Sequence, residues 1–189
     1  MILQSLNELY DRLAEDPSYE IAPPGFSPQK IAFRIVIKSD GSLTAIEDAR
    51  LPDKKGKLQN VVIEVPGGAK PPGAGINPCF LWDNQTYLLG KQPEYKADGF
   101  GQARFDAFKQ RHLELEKAVN TPEFSAVCRF LEKWEPADLS NHNILDTVGT
   151  GFGVFQIQGE KRYAHQNTHI RDWWKDNQAT EKNEELGQR

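Results

Sequence analysis

Apolar residues near the start of the chain recur at helical spacing. Ile2, Leu6, Leu9, Tyr10 and Leu13 share one face, which predicts an amphipathic helix over residues 2–15. Asp16-Pro17 ends it, because a residue before proline is pushed out of the helical region. A proline-punctuated connection follows to residue 29, and then the period changes. Lys30 to Lys38 is rich in β-branched and aromatic residues and reads as a strand. Asp40-Gly41 signals a hairpin, Leu43 to Leu51 returns as a second strand, and Val61 to Val65 forms a third. Phe80-Leu81-Trp82, a polar Asp83-Asn84 turn and Tyr87-Leu88-Leu89 predict a short aromatic hairpin over Phe80–Leu89. On such a strand Phe80 and Trp82 share a face and Leu81 points the other way.

Helical spacing resumes in the second half. Phe105, Phe108, Leu115 and Val119 make one stripe between Asp98 and Val119, with His112 in step and Arg104, Lys109 and Arg111 left to solvent. Thr121-Pro122 opens a second helix through an N-cap and a proline in its first turn. That helix buries Phe124, Val127, Cys128, Leu131 and Trp134. Residues 137–151 read as a polar loop, Phe152 to Gln158 as a strand with a return beginning at Arg162-Tyr163, and His169 to Lys175 as a short helix. The pattern is that of an α+β fold: a mainly antiparallel sheet with helices packed on one face. One domain is expected over residues 1–177, followed by a polar, disordered tail over 178–189.

The first half of the stretch Ala69–Gly90 defeats regular structure. Pro71, Pro72 and Pro78 lack backbone donors, while Gly73 and Gly75 open conformations closed to other residues. Lys70 and Asn77 add a charge and an amide. Loops held on rigid scaffolds often carry binding, although an ordinary surface connection has the same composition.

Charge distribution favours the binding reading. The chain of 189 residues has net charge −4, yet residues 30–111 hold 13 basic and 9 acidic side chains. Residues 1–29 hold 1 basic and 5 acidic, and residues 112–189 hold 9 and 13. The net-positive segment is therefore the one with the glycine-proline loop, though a mildly basic solvated face is equally consistent with four charges. Apolar content is 38% and mean hydropathy −0.63, with no run near the ~20 apolar residues that span a bilayer. The opening residues lack the features of a secretory signal, and Cys79 and Cys128 stand apart, so a reducing cytosol is expected.

Covalent chemistry has little support in the pattern. His165 and His169 are four apart, but no third ligand or general base completes a metal site of the H-E-x-x-H kind. G-A-G-I-N-P lacks the third glycine and following helix of a dinucleotide loop. No catalytic residue, metal or cofactor is expected.

Several motifs together carry a family resemblance. They are the opening M-I-L-Q-S-L-N-E-L-Y-D-R-L, I-A-P-P-G-F-S, P-G-A-G-I-N-P-C-F-L-W-D-N-Q-T-Y-L-L-G, A-R-F-D-A-F-K-Q-R-H and R-F-L-E-K-W-E-P. In this order the chain resembles, from Met1 to about Trp174, the N-terminal part of the large subunit of the type I-C CRISPR Cascade complex. Members of that family are longer, so the resemblance implies an N-terminal fragment.

It also implies a binding protein in which guide RNA reads the target while the large subunit inspects the adjacent motif (PAM) in duplex DNA. Implied partners are double-stranded target DNA, guide RNA, the other Cascade subunits and a helicase-nuclease recruited later, with no membrane. The DNA-binding candidates are then Lys70, Gly73, Gly75, Asn77, Asn84 and Gln85, with Gln85 or Ile76 as a wedge that unstacks a base step. Lys54, Lys55, Lys57, Arg104, Lys109 and Arg111 are candidate phosphate contacts. A domain that only docks other subunits and a metal-dependent nuclease are the alternative readings.

Overall fold

The computed structural model describes residues 22–70, 75–149 and 151–187, with side chains to Gln178. The amphipathic helix expected over residues 2–15 lies outside them, as does the part of the loop containing Gly73. The organising element is a long strand, β1 (Phe26–Ile37), whose Ile31, Phe33, Ile35 and Ile37 are all buried. Its second half pairs antiparallel with β2 (Leu43–Asp48), across the hairpin turn at Asp40-Gly41. Its first half pairs antiparallel with β5 (Val61–Pro66) along the same edge. Between β2 and β5 a separate ribbon emerges, made of β3 (Leu51–Pro52) and β4 (Leu58–Gln59), which pair with each other.

On the other side of β1 lies β7 (Phe152–Ile157), running parallel to it, and β6 (Trp82–Asn84) closes that edge antiparallel to β7. The sheet is thus mainly antiparallel with one parallel pair, and the fold is α+β as the periodicity implies.

The aromatic hairpin expected over Phe80–Leu89 is not formed. Only Trp82–Asn84 is strand, and Gln85–Leu89 is helix α1. Local chemistry explains the change. Asn84 is extended and its side-chain oxygen accepts the amides of Thr86 and Tyr87, which caps a helix instead of turning a hairpin. Gly90, left-handed at φ 76°, then ends it. The alternation assumed for Phe80 and Trp82 also fails. Leu81 sits at φ 64°, so the chain twists between them. Phe80 and Leu81 enter the main core, while Trp82 joins a second cluster with Ile31, Val65 and Val154.

Helix α2 (Phe100–Val119) and helix α3 (Pro122–Lys133) carry the apolar stripes into the main core. Thr121 caps α3 by accepting the Phe124 amide, and Trp134 is buried just beyond it, donating to the Leu89 carbonyl at 3.1 Å. Close approach of α2 to the end of α1 depends on Gly101, where a Cβ would lie 2.4 Å from the Gly90 carbonyl oxygen. The stretch read as a polar loop over 137–151 contains a 3-10 turn (Pro136–Asn141) and helix α4 (Ile144–Val148), which buries Leu145 and Val148. The expected return strand at Arg162-Tyr163 amounts to one bridge, Gln156 to Tyr163.

Helix α5 runs Thr168–Gly187, well past the Lys175 end expected for it. A tail expected to be disordered is therefore helical in its backbone through Gly187, because its Gln, Ala, Glu and Lys residues are good helix formers.

Candidate nucleic-acid interface

The glycine-proline loop leaves and rejoins the fold at one place. On the departing side, the Lys70 ammonium pairs with both carboxylate oxygens of Asp83. It also lies 3.5 Å from the centroid of the Tyr87 ring. On the returning side, the Cys79 amide donates to the same Asp83 carboxylate at 3.0 Å. The Asn77 amide donates to the Tyr87 hydroxyl at 3.0 Å, and that hydroxyl reaches the Gly75 carbonyl at 3.5 Å. Arg111 donates to the Pro78 carbonyl. Asp83 and Tyr87 thus form a platform that ties both ends of the loop together.

Asp83 is 0% exposed. Burial pushes its carboxyl above the usual range, while Lys70 and the amides of Cys79 and Asn84 pull the other way. The same burial, aided by the Asp83 charge, pushes the Cys79 thiol up to about 12, so this cysteine stays protonated and unreactive near neutral pH.

A second tie lies behind the platform. His112 is fully buried, and burial lowers its pKa to about 3, so it is neutral. Its Nδ1–H donates to the Phe108 carbonyl at 2.7 Å, and Nε2 accepts the Leu81 amide at 3.0 Å. Its ring stacks on Phe108, Phe80 and Phe124. The left-handed conformation of Leu81, costly for a branched side chain, is held by that bond and by burial on all sides.

These contacts redistribute the sequence-derived candidates. Lys70 is committed to Asp83 and Tyr87, not open to a phosphate. Asn84 is spent on capping α1. Gln85 is buried, and its amide donates to the carbonyls of Leu145 and Gly149, so it has no reach as a wedge. Arg104, expected to face solvent, is buried with its guanidinium 3.4 Å from the Phe100 centroid and 5.8 Å from that of Tyr87. Each is drawn inward by a partner the fold supplies: the Asp83 carboxylate and Tyr87 ring for Lys70, helix amides for Asn84, backbone carbonyls for Gln85 and the Phe100 ring for Arg104.

Among the described residues of the loop, Gly75, Ile76 and Asn77 face outward, with Ile76 46% exposed. Lys109 is half-buried near the Glu132 carbonyl, while Lys54, Lys55 and Lys57 stand exposed at the tip of the β3–β4 ribbon, away from the loop in sequence.

Asp83 and Tyr87 are the loop-holding residues that pattern reading missed. Asp83 follows three apolar residues, and a carboxylate so placed was the available signal that it needs a buried partner. The histidine pair does not assemble a metal site. His165 is buried in a 3-10 turn (Ala164–Gln166), its Nε2 donating to the Glu64 carbonyl at 3.1 Å, whereas His169 is exposed on α5. Among the described residues no three His, Cys, Asp or Glu side chains cluster for a metal, and no helix is long and apolar enough to cross a membrane.

A family model described as CRISPR-associated protein (Cas_Csd1) matches residues 6–188, nearly the whole chain. The chain belongs to this CRISPR-associated family. No curated protein matches it.

Proposed function

Starting from its place in the Cas_Csd1 family, we propose that the chain is a non-catalytic, nucleic-acid-binding part of a type I-C CRISPR effector complex. Its task in this reading is to inspect the PAM in duplex target DNA and to help open the strands beside the guide RNA. The observation that carries the reading is the clamped loop. Lys70, Asp83 and Tyr87 fasten both ends of a segment with little side-chain bulk. Fixed ends lessen the entropy lost when such a segment binds.

Within it, Gly75 lets backbone approach a groove closely, Asn77 offers an amide suited to base-edge acceptors, and Ile76 is an apolar group able to lean on a base step. Lys70 contributes by holding the loop, not by touching phosphate. The other complex subunits, the guide RNA and a helicase-nuclease recruited by the complex are the partners this role requires.

The test is a binding titration of the reassembled complex on duplexes with the correct motif and with a swapped one. Asn77→Ala lowers the preference for the correct motif by about 1–3 kcal/mol, the worth of a good base-edge contact. Its melting temperature stays near that of the parent, since the tie to Tyr87 uses the Asn77 backbone amide. Unchanged discrimination with an intact fold refutes the assignment. Normal assembly without any motif preference, in parent and variant alike, supports instead a domain that only docks its neighbours.

A further inference from the structure

The ribbon β3–β4 has no place in the core. Every residue from Leu51 to Gln59 is exposed, and the two strands pair with each other. Leu51 is 63% exposed and Leu58 44%. Leu51 pairs with Gln59 and Leu58 with Pro52, so the two leucines lie on opposite faces of the ribbon.

The tip is nonetheless well built. The Asp53 amide donates to the Lys57 carbonyl, and the Gly56 amide to the Asp53 carbonyl, both at 2.9 Å. Gly56 takes the left-handed φ of 79° that the turn requires. The Asp53 carboxylate accepts the amides of Lys55 and Lys57 at 2.8 and 2.9 Å. The one acid at the tip is thereby occupied by backbone, and Lys54, Lys55 and Lys57 make no ion pair among the described residues. Three lysines thus stand on one tight turn with no acidic partner among the described residues.

The geometry points to a duplex-gripping arm: the ribbon 51–59 enters a groove of double-stranded nucleic acid and sets Lys54, Lys55 and Lys57 against its phosphates. Charge complementarity decides the partner, since a cluster of free cations meets its densest counterpart on a phosphate backbone. Size agrees. Two strands lie about 4.8 Å apart, and a major groove about 12 Å wide admits such a ribbon. From Leu51 to Asp53 the strand advances roughly 7 Å at about 3.3 Å per residue, and the turn beyond it carries the lysines further, a reach comparable with a groove about 8.5 Å deep. A leucine on each face suits a site with a sugar wall on either side. The arm is sequence-blind and separate from the loop, and it rests on the proposal that the chain meets duplex DNA.

The experiment compares the reassembled complex carrying the parent chain, Lys54→Gln/Lys55→Gln/Lys57→Gln, or Asn77→Ala, on matched and motif-swapped duplexes at several salt concentrations. For the lysine variant the slope of log affinity against log salt becomes shallower by about 2 to 3 on both duplexes, with the motif preference kept. Leu51→Ser/Leu58→Ser weakens both several-fold without altering the slope. Because every residue of the arm is exposed, these variants keep the parent's melting temperature.

An unchanged slope and affinity overturn the arm, whatever Asn77→Ala does. Failure of the lysine variant to assemble also overturns it, and assigns the ribbon to a protein neighbour with an acidic face. A shallower slope together with unaltered motif preference in Asn77→Ala keeps the arm and removes the loop as reader.

Discussion

Lys70→Ala separates a structural clamp from a DNA contact. The substitution strips the ammonium from Asp83, a carboxylate that is 0% exposed and keeps only the amides of Cys79 and Asn84. Removing one member of a buried pair costs about 3–5 kcal/mol, because the remaining charge stays desolvated. The lost contact over the Tyr87 ring, at 3.5 Å, adds about 0.5–2 kcal/mol. Lys70 is itself 16% exposed in its side chain, which lets some water reach the gap and argues for the lower end.

A loss of about 3–5 kcal/mol is a third or more of the stability of many domains. It lowers the melting temperature by roughly 6–20 °C for a chain of this size. The assay is thermal and urea unfolding of Lys70→Ala, Asp83→Asn and the double variant Lys70→Met/Asp83→Asn. The double variant recovers much of the loss, since it buries no charge. A shift of less than about 2 °C in Lys70→Ala, or strict additivity of the two single changes, refutes the clamp. Weaker DNA binding with an unmoved melting temperature returns Lys70 to the DNA surface.

Trp82→Ala costs about 3–5 kcal/mol: its ring is fully buried edge-on to Phe152 at 5.0 Å, and its indole donates to the Pro66 carbonyl at 2.7 Å. An unmoved urea midpoint contradicts this. Acid stability follows from the buried histidines. Burial lowers His112 to about 3 and His165 to about 4, against about 6.5 in an unfolded chain. Their neutral forms therefore stabilise the fold above about pH 6.5, and that contribution is lost as pH falls, by up to about 1.4 kcal/mol per unit for each. Unfolding midpoints at pH 7.5, 6 and 5 that do not decline rule it out. Gly101→Ala destabilises by about 1–3 kcal/mol because its Cβ would meet backbone of Gly90 and Lys91, and an unaltered melting curve shows that α2 moves aside freely.

Local sequence was enough to find β1, β2, β5, β7, α2 and α3. The strands are runs of β-branched and aromatic residues and the helices carry apolar stripes at 3.6 spacing, and the signals that bound them, Thr121-Pro122 above all, act within a few residues of sequence. The irregular backbone over 75–79 was legible too, since a stretch so poor in donors and in side chains forms neither helix nor ladder.

Tertiary structure decided the rest. Tyr87-Leu88-Leu89 has the composition of a strand, but Asn84 and Gly90 cap it as a helix once Gln85 finds the carbonyls of Leu145 and Gly149, sixty residues away. Lys70 was readable as a cation but not as a clamp, because its partner Asp83 stands 13 residues on, across the loop it closes. Lys54, Lys55 and Lys57 differ from Lys70 and Arg104 in having no ion-pair or ring partner among the described residues. Composition lists the charges of a chain; which of them face outward depends on what the folded interior has already neutralised, and that is set by contacts distant in sequence.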